Sequence, residues 1–145
     1  MVRWVIDNYN IILKRKEVEN GGFGVFFKCV RKESAPSHFP ERIGIKMFRT
    51  DVYQPMGAIA NETLLMKEAC HNHLFPTVFA FSIDPMLPFV VTAVIGGGSL
   101  KTFIDGTPDL AHRLAIIPGL LKNISGALIL LDKKKIVHGD VKPDK

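Results

Sequence analysis

His138 Gly139 Asp140 Val141 Lys142 Pro143 Asp144 Lys145 is the stretch on which the reading of this chain turns. Alone it decides nothing, because a His, an Asp and a Lys-Pro at this spacing can arise by chance in a basic tail. Working back towards the N-terminus, three further stretches keep a fixed order: Ala60 Asn61 Glu62 Thr63, then Ile43 Gly44 Ile45 Lys46, then Asn20 Gly21 Gly22 Phe23 Gly24. Each is weak by itself, since glycine clusters are ordinary turn chemistry. Their order and spacing together carry the specificity.

Period and punctuation place these stretches on elements. Tyr9 to Leu13 and Val25 to Val30 are rich in β-branched and aromatic residues and flank the glycines, which predicts a hairpin with the glycines at its tip. In Ile43 to Phe48, alternation sends Ile43, Ile45 and Met47 to one face and Gly44, Lys46 and Phe48 to the other, as in a half-buried strand. From Met56 to Cys70 the spacing turns helical, with Ile59, Glu62, Met66 and Ala69 on one stripe. Leu74 to Ile83 and Pro88 to Val94 read as two strands joined at Asp84 and Pro85. Gly96 Gly97 Gly98 breaks the pattern, and Ser99 is a natural N-cap for a short helix from Leu100. Leu110, Leu114, Ile117, Leu121, Ile124, Leu128 and Leu131 then mark one long amphipathic helix, starting near Thr107 and Pro108 and kinked or divided at Pro118. Arg113, Pro118, Lys122 and Asn123 interrupt this run, so it reads as a buried helix rather than a membrane span.

In order and spacing the four stretches resemble the protein kinases, serine/threonine type and eukaryotic-like, over nearly the whole chain. The resemblance implies an α+β fold. A small antiparallel lobe of five strands and one helix is expected over residues 1–95, followed over 96–145 by a hinge and a partial helical lobe. By the same resemblance the chain is expected to be a truncated form of the domain, stopping inside its catalytic loop. The implied cofactors are ATP and Mg²⁺, and the implied reaction is transfer of the γ-phosphate to protein Ser/Thr hydroxyls.

That reaction needs a close backbone, a cation and metal-binding acids around the triphosphate. By resemblance, Gly21, Gly22 and Gly24 supply the backbone, although Glu19 occupies the place of the pattern's first glycine. Lys46 is similar to the lysine that contacts the phosphates, and Glu62 to the helix glutamate that pairs with it. A Glu within an apolar stripe needs a partner, and Lys46 is the cation available. Phe26 and Gly44 stand where the family has a Val and an Ala, so one residue grew while its neighbour shrank. If both roof the nucleotide pocket, the exchange roughly conserves volume; the alternative is a Phe26 that plugs the pocket. Thr92 resembles a small gatekeeper, and the backbone of Ala93 and Ile95 the adenine contacts of the hinge. Asp140 resembles the acceptor of the substrate hydroxyl proton, and Lys142 the residue that steadies the transferred phosphate. Lys142 Pro143 argues against the tyrosine-kinase variant, and Gly139 against control through an activation-loop phosphate. Lys145 takes the place of the metal-binding Asn, where a cation repels Mg²⁺, so no metal ligand is assigned.

Composition bounds the remaining classes. With 145 residues, 47% hydrophobic, the chain can build a core, and its net charge of +5 lies partly in two short, distant runs, Lys14 Arg15 Lys16 and Lys133 Lys134 Lys135. Basic and aromatic residues do not interleave, which disfavours a nucleic-acid partner. Two cysteines and no apolar leader favour a reducing setting, cytoplasmic or nuclear. Cys70, His71 and His73 lack the spacing of a zinc site. The expectation is therefore a kinase domain or, alternatively, a catalytically dead kinase-like module that docks on a partner such as a kinase. Without the later elements it would normally pack against, the Leu-rich helix face is expected to be left exposed and to drive self-association.

Overall fold

The computed structural model describes residues 3–12, 18–21, 24–50, 56–70, 74–96, 98–107, 109–137 and 141, with backbone alone for 18–21 and 56. The chain divides into two compact units, Met1–His71 with Pro76–Val94 and Asn72–Phe75 with Ile95–Lys145. The first unit holds α1 (Arg3–Asn8), β1 (Tyr9–Ile11), β2 (Val18–Gly21), β3 (Gly24–Arg31), β4 (Arg42–Phe48), α2 (Met56–Ala69), β5 (Val78–Ser82) and β6 (Phe89–Ala93). The second holds α3 (Leu100–Gly106) and α4 (Leu110–Lys133).

The strands form one antiparallel sheet in the order β1-β3-β4-β6-β5, with β2 also on β3. β1 and β2 share an edge position: β2 pairs the start of β3, Gly21 opposite Gly24, and β1 pairs its end, Tyr9 opposite Arg31. The glycine hairpin therefore forms between β2 and β3, and not between Tyr9 to Leu13 and the following strand as the residue types predict. Gly21 faces Gly24 at the end of this hairpin. Tyr9–Ile11 lies too far upstream to reach that tip and pairs beyond it. Gly24 has a packing cause of its own, because a Cβ there would stand 2.6 Å from the Met47 carbonyl oxygen.

β4 is buried on both faces, a correction to the half-buried strand expected of it. Ile43 and Ile45 join Val5, Tyr9, Cys29, Phe89 and Val91 in one cluster, flanked by Trp4, Phe39 and Met47. Phe48 joins Ile59 and Val90 in a second cluster on the opposite face, beneath α2. Each large apolar side chain so buried contributes about 1.5–3 kcal/mol. The first face is covered in part by α1, which the sequence pattern does not signal: Trp, Val and Ile are poor helix formers in a six-residue segment. Packing holds it instead, with the Asn8 amide donating to the Trp4 carbonyl at 2.8 Å and the Lys32 ammonium to the Ile6 carbonyl at 2.8 Å.

In the second unit, Ser99 caps α3 as expected, its Oγ accepting from the Thr102 N–H at 3.2 Å. α4 starts later than Thr107 and Pro108 suggest. Its N-cap is Asp109, whose carboxylate accepts from the N–H groups of Ala111 and His112 at 3.1 and 3.0 Å, while Thr107 closes α3. The helix is continuous through Pro118, so the expected division does not occur; a proline removes one ladder bond and the turns on either side hold. Nor is α4 a buried helix within this chain, since Leu131 alone on it is buried while Leu110, Leu114, Ile117, Leu121 and Leu128 are exposed. α4 is also long and apolar enough to cross a membrane by length and composition, because Lys122 is the sole charge between Arg113 and Asp132. Core helices of soluble proteins pass the same test. His71 and His73 lie outside the described residues.

Burial pushes the Cys29 thiol up to about 11. Because its folded value is raised above the ordinary 9.0, its contribution to stability is intact below pH 9 and lost as pH rises towards 11. Cys29 will resist a thiol reagent at pH 8 in the folded chain while the less buried Cys70 reacts, and urea midpoints will fall between pH 9 and 11 more steeply than in Cys29→Ala.

Candidate functional site

The face of the sheet beneath α2 gathers several of the residues singled out in the sequence. Strand alternation puts Gly44, Lys46 and Phe48 on that face, and the pairing register aligns Phe26 with Lys46 and Val90, and Gly44 with Thr92. α2 is seated by Ile59, which packs with Phe48 and Val90. One turn on, Glu62 reaches Lys46, with Nζ to Oε1 at 2.5 Å. The Lys46 ammonium also stands 4.6 Å from the centroid of the Phe48 ring, a cation–π contact. Phe48 was not singled out in the sequence, although its place two residues from Lys46 puts it on the same face.

The pair forms, but not for the reason the helix stripe suggests. The buried side chains of α2 are Ile59, Thr63 and Ala69, and Glu62 lies beside them with 45% of its side chain exposed, against 31% for Lys46. No buried charge compels this contact. An ion pair so exposed is typically worth under about 1 kcal/mol. Its consequence is positional: the ammonium is held at a fixed place on the sheet, open to an anion from solvent.

Phe26 and Gly44 are in contact. A Cβ built on Gly44 would lie 2.1 Å from Cζ of the Phe26 ring and 2.6 Å from Cε2, so the ring tip occupies the space an alanine methyl would fill. The two departures from the kinase pattern are thus one packing event. Thr92, opposite Gly44, is buried at 6% exposure. The Ala93 N–H donates to the Thr77 carbonyl at 2.8 Å, so this donor is committed within the sheet. Ile95 opens the second unit with its side chain exposed. Gly21 and Gly24 face each other at the end of the β2–β3 hairpin. Gly22, Asp140 and Lys142 lie outside the described residues, as does Lys145.

Overpacking of this order costs about 1–3 kcal/mol. Gly44→Ala will lower the urea-unfolding free energy by that amount in the wild-type background and by much less in Phe26→Val, a coupling that a double-mutant cycle reads directly.

The family model for protein tyrosine and serine/threonine kinase matches residues 12–144. Among curated proteins, the chain is similar to serine/threonine-protein kinase DCLK1 of Rattus norvegicus, 24% identical over 129 residues covering 89% of this chain and 28% of that protein. It is also similar to serine/threonine-protein kinase SKM1 of Saccharomyces cerevisiae, 27% identical over 114 residues covering 72% of this chain and 17% of that protein. The chain thus spans less than a third of the length of these relatives. With an antiparallel sheet, a helix laid across it and helices following in the chain, and with a family match over most of its length, the chain belongs to the protein tyrosine and serine/threonine kinase family.

Proposed function

We propose that this chain is the ATP-binding portion of a protein kinase domain of serine/threonine type, and that alone it binds nucleotide without effective phosphoryl transfer. One observation carries the reading: the Lys46 ammonium, fixed by Glu62 at 2.5 Å, remains partly exposed. A triphosphate needs such a cation, and the two glycines at the hairpin end permit close backbone approach. These residues fit the anionic end of ATP, which when bound would supply the phosphoryl group. Lys46 would hold phosphate oxygens, Glu62 would keep the ammonium from swinging away, and the backbone of Ala93 would meet the base. Asp140 would accept the proton of a Ser/Thr hydroxyl and Lys142 would balance charge on the group in transfer.

The fit to Mg²⁺ is poor. Among the described residues, His, Cys, Asp and Glu form no cluster able to hold a metal, and Lys145 stands at the ligand position of the pattern. No step is assigned to the ion. This deficit favours a second reading, a catalytically dead kinase-like module that acts by binding a partner such as a kinase. The proposed setting is cytoplasmic or nuclear, as for intracellular signalling enzymes, with protein partners and neither nucleic acid nor membrane.

A thermal-shift titration with Mg²⁺-ATP separates the readings. Ligand at ten times its Kd adds about 1.4 kcal/mol, several degrees in Tm, to the wild type. Lys46→Met will abolish the shift; absence of a shift in either protein supports the dead module. The exposed Leu110, Leu114, Ile117, Leu121 and Leu128 lead to a further expectation, association between copies of this chain. Sedimentation velocity will show species larger than a monomer, and Leu114→Lys with Leu121→Lys will shift them towards monomer.

A further inference from the structure

Phe48 is held in place by groups other than Lys46. Its N–H donates to the Pro88 carbonyl at 3.0 Å, its Cα pairs with that of Gly24 on β3, and its ring packs with Ile59 of α2 and Val90 of β6, which leaves the residue 5% exposed. A side chain so enclosed has one position. Lys46, two residues back on the same face of β4, is longer and more open, with 31% of its side chain exposed, and its Nζ stands over the Phe48 ring, 4.6 Å from the centroid. The ammonium therefore has two anchors on different elements, the Glu62 carboxylate on α2 and an aromatic ring on its own strand.

The two anchors act differently on the cation. A carboxylate takes a hydrogen-bond donor and brings a full negative charge, which opposes an incoming anion. An aromatic ring attracts a cation through its quadrupole, takes no donor and carries no net charge. Among the described residues the ammonium gives one of its three donors, to Glu62. We propose that Phe48 is a positioning residue for the triphosphate: its ring holds the Lys46 ammonium in place and leaves the charge and the remaining donors to phosphate oxygens. The proposal rests on the nucleotide reading above and adds to it a second holder of the lysine, carried by the lysine's own strand. Phe48 makes no contact of its own with the ligand and acts through Lys46 alone.

The test is calorimetric titration of the full chain with Mg²⁺-ATP, with Phe48 replaced by phenylalanines that carry one, two and three ring fluorines. Fluorine draws electron density from the ring face and weakens its hold on a cation, while size and apolar packing barely change. Affinity will fall stepwise along the series, to about two- to fivefold weaker at three fluorines. Inorganic tripolyphosphate, which lacks the base, will show the same fall, because the ring acts through the ammonium. In Glu62→Gln the fall will be steeper, since the ring is then the remaining anchor. A flat series, with binding still abolished by Lys46→Met, overturns the role of the ring and leaves the nucleotide reading standing. Binding unchanged by Lys46→Met overturns that reading, and the role of the ring with it. Circular dichroism melts establish that each variant is folded at the titration temperature.

Discussion

The structure depends on β4 being enclosed. It is hydrogen-bonded on both edges, to β3 and β6, and packed on both faces, so each of its residues has one permitted direction. A slip of one residue would exchange the faces, driving Lys46 into the cluster of Ile43, Ile45 and Val91 and leaving isoleucines under α2. The cost of burying an unpaired ammonium rules that register out. The hydrophobic effect thus selects the register, and the register aims the lysine. Glu62 follows from a separate anchor, since Ile59 sets the rotation of α2 by packing on Phe48 and Val90, and helical spacing then carries the carboxylate to the edge where Lys46 ends.

Phe26 and Gly44 show how a site can depart from a family pattern and stay packed. A Phe alone at that position would meet a methyl on β4, and a Gly alone would leave a gap beneath a smaller side chain. Together they fill the space once, at the cost of a more flexible glycine within a strand. β4 tolerates the glycine because ladders on both edges fix its backbone.

Much of this was legible from residue order, and the exceptions share a cause. Lys46 with Glu62 and Phe26 with Gly44 were legible through the kinase resemblance, and Ser99 as a cap through local residue chemistry. α1 was not legible, because Trp4 and Val5 adopt a helix only once the sheet face exists to bury them. The division of the first edge into β1 and β2 was hidden for a related reason: Val18 to Gly21 has little strand character of its own and pairs because β3 offers it an edge beside a glycine turn. The start of α4 was misplaced because Pro108 is a plausible first helical residue in isolation, whereas the carboxylate of Asp109 satisfies two N–H groups at once. The exposure of Glu62 was missed because the stripe Ile59, Glu62, Met66, Ala69 describes an arc and not a depth, and Thr63 takes the buried place beside it.

That exposure bears on how the site is interpreted. Were the Lys46 to Glu62 pair deeply buried, removing either partner would leave an uncompensated charge and cost several kcal/mol, and any functional effect would be confounded with unfolding. At 31% and 45% exposure the pair contributes little to stability, and Ile59 with Val90 and Phe48 keeps α2 in place without it. The fold does not need the ammonium, nor does the ammonium need the carboxylate for want of water. What the carboxylate supplies is direction, holding a long flexible side chain to one position beside an aromatic ring, at a small entropic cost that is met in advance of any ligand. Under the proposed function, a lysine held this way serves an incoming anion rather than the stability of the sheet that carries it.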